Sequence, residues 1–97
     1  MHVGIAQLTF HLPSNGSLKG KRQAAQALVT RLRTRFNVAV AEVAAQEAHQ
    51  RLVLGVTTVS ASAAHADEQL DAAIRYAAGL RVDAELVDVQ RTLADGA

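Results

Sequence analysis

"VGIAQLTFHLPSNGSLKGKRQAAQALVTRLRTRF", residues 3–36, changes its hydrophobic period part-way along, and that change decides the fold. Over 3–12, Ala6, Leu8, Phe10 and Leu12 point one way and Gln7, Thr9 and His11 the other. This alternation is that of a half-buried strand. The turn "PSNGS" (13–17) holds the only proline of the chain and closes that strand. From Ser17 the spacing is helical: Leu18, Ala25, Leu28, Val29, Leu32 and Phe36 share one stripe. Ser17 is suited to accept from the free amides of the first turn, and Asn37 to end the helix. Gly20 sits inside that turn at a cost of about 1 kcal/mol relative to alanine.

Beyond this stretch, "VAVAEV" (38–43) reads as a short strand and "AAQEAHQ" (44–50) as a connection. "RLVLGVTTVS" (51–60) is apolar on both faces near its start, which predicts a central strand. Ser62 caps a second helix over about 63–78, with Ala66, Leu70, Ala73, Ile74 and Ala77 inward and Gly79 as its stop. "AELVDVQ" (84–90) is the last strand, and "ADGA" (94–97) a frayed tail. The order βαββαβ predicts an α+β ferredoxin-like sandwich. Its four-stranded antiparallel sheet has the order 4-1-3-2, with two helices on one face and the first and third strands central.

Ninety-seven residues make one domain, structured over about 2–92. Hydrophobic residues form 49% of the chain, which excludes disorder from low hydropathy. There is no cysteine, so disulfides, thiolate metal sites and a Cys nucleophile are all excluded. "MHVGIAQLTF" (1–10) has neither the charged start nor the long apolar run of a secretion signal, and no stretch is long and apolar enough to span a membrane. The expected location is the cytoplasm. The net charge of +1 hides an asymmetry. Residues 1–41 hold six cations and no acid (+6), whereas 42–97 hold four Arg against nine acids (−5). One basic element on an acidic body faces either a polyanion or the acidic half of a second copy.

Three stretches carry a resemblance: "SLKGKR" (17–22), "RFNVAVAEV" (35–43) and "QRLVLGV" (50–56). Together they resemble the YlxP-like family of small bacterial proteins, a domain of unknown function, over about residues 2–92. The resemblance implies a ferredoxin-like fold and no established activity. Family members usually carry Glu where Gly20 stands. Ser17 with a Glu three residues on would form a capping box; here half of it is missing, and the helix start is looser. Genes for such proteins often lie beside those for translation initiation factor 2 and ribosome-binding factor A, so the resemblance implies an association with translation.

No constellation of residues points to an enzyme. Ser14, Ser17, Ser60 and Ser62 lie at element ends, where capping is their ordinary role. Neither a GxSxG elbow nor a phosphate-binding glycine loop is present. The helix start with Lys19 offers at most a single-anion site, and a plain capped start is the simpler reading. His2, His11, His49 and His65 lack metal-ligand spacing, with His2 and His11 on opposite strand faces. No metal or cofactor is expected. Glu42 and Glu47 are expected to form at most an exposed ion pair with Arg51.

The candidate site is therefore the basic helix: Lys19, Lys21, Arg22, Arg31, Arg33 and Arg35. At 100° per residue, Lys19, Arg22 and Arg33 flank the apolar stripe on one side with Gln26, and Arg31 and Arg35 on the other. Lys21 falls close to the stripe and is expected to snorkel out. RNA phosphate rewards clustered cations through counterion release. Base stacking across the sheet is not expected, because the third strand has no aromatic and Phe10 points inward. The leading reading is a non-catalytic protein that binds RNA or the ribosome through this helix, with no small-molecule substrate. The alternative is a homodimer through the open sheet face, where Val53, Gly55, Thr57 and Val59 point away from the helices. In that case the basic helix is only a solvated surface.

Overall fold

A computed structural model of the chain describes residues 1–13, 16–80 and 83–95. The elements run β1 (His2–His11), α1 (Leu18–Arg35), β2 (Ala39–Ala44), β3 (Arg51–Ser60), α2 (Ala63–Gly79) and β4 (Glu85–Asp95). The sheet order is β2-β3-β1-β4 and every neighbouring pair is antiparallel. This is the α+β ferredoxin-like sandwich, with β1 and β3 central.

The alternation of β1 sets the core. Ala6, Leu8 and Phe10 lie opposite Val56, Leu54 and Leu52 of β3, and all six are buried. Leu28 and Leu32 of α1 and Leu70, Ala73 and Ala77 of α2 close over the same cluster. Each large side chain so buried contributes about 1.5–3 kcal/mol relative to exposure. Gly4 gives α2 room to lie against β1. A Cβ there would lie 3.3 Å from Thr58 Cγ2 and 3.4 Å from the Ala66 carbonyl oxygen.

Both helix starts are capped as the sequence predicts. The Ser17 hydroxyl accepts from the Gly20 amide (3.1 Å), and that of Ser62 from the His65 amide (3.2 Å). Several boundaries differ. α1 is capped by Phe36, whose amide donates to the Leu32 carbonyl. Asn37 instead lends its carbonyl to the buried Thr58 hydroxyl (3.1 Å). Gly79 is the last helical residue of α2, with Leu80 as the cap. β4 continues five residues past Gln90, so Ala94 and Asp95 are strand rather than frayed tail. The strand persists because its backbone pairs with β1 as far as His2↔Asp95. Ser14 and Asn15 of the first turn and Gly96 and Ala97 of the tail lie outside the described residues.

Candidate nucleic-acid interface

The six cations of α1 have three different fates. Lys21 is 2% exposed. Its ammonium lies 3.0 Å from Glu42 Oε2 and donates to the Ala45 carbonyl. The expected snorkelling therefore does not occur, and Lys21 is not part of a polyanion surface. The reason is positional: Lys21 shares the buried stripe with Leu28 and Leu32. β2 meets it there with Glu42, which pairs across the sheet with core-facing Leu54. A buried ammonium needs a counter-charge and an acceptor, and it finds both. Glu42 Oε2 takes no directed hydrogen bond, so the carboxylate is held mainly by charge. The expected pairing of Glu42 with Arg51 is likewise corrected. Arg51 lies opposite His11 on the other face of the sheet, and no ion pair joins it to Glu42 or Glu47.

Arg33 and Arg35 are exposed but engaged. Arg33 Nη2 donates to the Val40 carbonyl at 2.9 Å, on edge strand β2. The Arg35 guanidinium sits 4.7 Å from the centre of the Tyr76 ring of α2. Tyr76 in turn meets Phe36 edge-on at 5.5 Å. Lys19, Arg22 and Arg31 are exposed and make no ion pair among the described residues. Between the two cationic flanks, Gln23, Gln26, Ala27, Thr30 and Arg31 line a shallow hollow.

The acid-rich part of the chain behaves differently. Arg91 of β4 reaches Asp67 at 2.7 Å and Asp71 at 3.2 Å on α2, and Arg75 reaches Asp71 at 3.3 Å. Arg75 and Arg91 are thus neutralised within the fold.

A family model described as a protein of unknown function, DUF503, matches residues 3–91. The chain belongs to this family. YlxP of Bacillus subtilis (strain 168), an uncharacterised protein, is 30% identical over 74 residues, which covers 76% of this chain and 80% of YlxP. The resemblance read from the three short motifs is thereby confirmed. The DUF503 match contains all of α1 and ends within β4.

The second exposed feature of this DUF503 chain is the open face of its sheet. Ile5, Val43 and Val59 are 43%, 49% and 56% exposed there. Val53 also points to this side but is fully buried, which the alternation alone did not foresee. Val43 crosses toward Gly55, where a Cβ would lie 2.8 Å from Val43 Cγ1. Ala45 adopts a left-handed φ of 59° with no glycine to signal it. That conformation turns the chain after β2, and the Ala45 carbonyl receives the Ala48 amide (3.0 Å) as well as Lys21.

The two strand histidines fall on opposite faces, and His2 Nδ1 lies 3.1 Å from Asp95 Oδ1. No three His, Asp or Glu side chains converge as a metal-holding group among the described residues. Nor is any described helix long and apolar enough to cross a membrane.

Proposed function

We propose that this DUF503 chain is a non-catalytic binding protein that presents α1 to RNA phosphate, in isolation or on the ribosome. One observation carries the reading. Of the six cations of α1 only Lys21 meets a carboxylate among the described residues, while Arg75 and Arg91 are paired on the acidic side. Five like charges on one helix repel one another, and a polyanion relieves that repulsion. The two flanks straddle a shallow hollow whose Gln23, Gln26 and Thr30 can supply phosphate and sugar contacts. The aromatics beside α1, Phe36 and Tyr76, are engaged with each other and with Arg35, which favours backbone contacts over base stacking.

The test uses Lys19→Glu/Arg22→Glu/Arg31→Glu, which alters only exposed cations that make no ion pair among the described residues. Wild type binds structured RNA, and its affinity falls with salt at a log–log slope of about −2 to −4, as three to five phosphate contacts require. The folded triple variant loses that binding. Absence of wild-type binding at 50 mM salt overturns the reading.

A further inference from the structure

We infer that the open face of the sheet is the interface for a second copy of this chain, stacked sheet to sheet about a two-fold axis parallel to the strands. The first ground is charge. From the Val3–Val59 row to the Gln7–Gly55 row, no side chain on this face is charged on any of the four strands. The cores of protein interfaces are depleted of charge in the same way. The cations that reach this face stand at its margins, Arg51 at one end and Arg33 at the β2 side of the hollow, and they form no cluster to hold nucleic acid. Its hollow beside Ile5, Ala41 and Val43 is shallow and open, so it does not enclose a small molecule.

Area is the second ground. Three strands of ten or eleven residues and the six of β2, spaced about 4.8 Å apart, project about 600 Å². Accessible area exceeds projected area, so full-face stacking reaches the roughly 800 Å² per partner of stable complexes. The third ground is complementarity at the rim. The charges of this face gather at one end, where β3 and β1 pair His11↔Arg51 and β1 and β4 pair Thr9↔Asp88 and His11↔Glu85. Arg51, Glu85 and Asp88 make no ion pair among the described residues. A two-fold axis along the strands lays β3 over the partner's β1 and keeps like ends together. Arg51 of each copy then stands beside the partner's β4, near its Glu85 and Asp88, while the apolar rows cover one another. Turning the axis by a right angle would lay the charged ends on the apolar ones.

Sedimentation equilibrium of the full chain up to 300 µM tests this. Wild type is expected at about twice its 10.3 kDa and Ile5→Glu, verified as folded by circular dichroism, at the single-chain mass. Arg51→Glu weakens the dimer about tenfold or more, and Arg51→Glu/Glu85→Arg restores it, because the two rim positions exchange sign together. These rim substitutions lie outside the core and carry the test even if Ile5→Glu does not fold. A monomeric wild type at 300 µM overturns the proposal, as does a folded Ile5→Glu that remains a dimer. An Arg51→Glu dimer of unchanged affinity overturns the two-fold arrangement.

Discussion

Lys21 illustrates how a single side chain changes meaning between sequence and structure. In the sequence it is one of six cations; in the fold it is an internal counter-ion for Glu42 and a donor to Ala45. Lys21→Met should destabilise the protein by about 2–3 kcal/mol, less than a fully buried pair because Glu42 retains some contact with water. Adding Glu42→Gln should recover part of that loss, and urea titrations of the two singles and the double give the coupling. RNA affinity of folded Lys21→Met should stay at the wild-type value, which separates it from Lys19, Arg22 and Arg31. Two backbone positions nearby invite opposite changes. Ala45 pays for its left-handed φ with its Cβ, so Ala45→Gly is expected to be neutral or stabilising by up to about 1 kcal/mol. Gly55 has no positive φ and is needed for space instead. Gly55→Ala should cost about 1–2 kcal/mol in the same titrations, because the stiff Val43 must move away.

Among the elements, α1 has the less favourable first turn of the two helices, because Gly20 lies in it. Ser17 supplies one cap bond, Gly20 follows in the first turn, and no acid is present there to meet the helix dipole. Gly20→Glu should stabilise by about 1–2 kcal/mol through propensity, the dipole and the completed box, read as a higher urea midpoint. The other elements separate by how their order was encoded. β1 and β3 were legible because their core positions alternate or saturate with Leu and Val, and the topology then follows. The far half of β4 was not, because "RTLAD" (91–95) buries little as an edge strand. What orders it comes from elsewhere: backbone pairing to β1 and Arg91 gripping Asp67 and Asp71 on α2. The site divides the same way. Wheel geometry placed the two cationic flanks of α1, but the partners of Lys21, Arg33 and Arg35 are Glu42, a Val40 carbonyl and Tyr76. These lie on β2 and α2, beyond the reach of any local pattern.

At the scale of the molecule, the decisive property is the separation of charge between α1 and the rest. The pairs Arg91–Asp67, Arg91–Asp71 and Arg75–Asp71 are exposed ion pairs of small value, and salt weakens them slightly. Salt acts on α1 with the opposite sign, because it screens repulsion among five cations that have no acid partner among the described residues. Raising sodium chloride from 20 to 300 mM should therefore raise the melting temperature, by about 2–4 °C for roughly 0.5 kcal/mol of relieved repulsion. Arg75 and Arg91 remain unchanged in Lys19→Gln/Arg22→Gln/Arg31→Gln, so the difference between its salt slope and that of wild type isolates the helix. That variant should start with a higher melting temperature at 20 mM salt and gain little on screening. Equal slopes in the two proteins would mean that α1 carries no stored repulsion, and the physical case for a polyanion partner would lose its foundation. A steeper wild-type slope, together with salt-sensitive RNA affinity through the same three residues, ties the cost of this helix to its use.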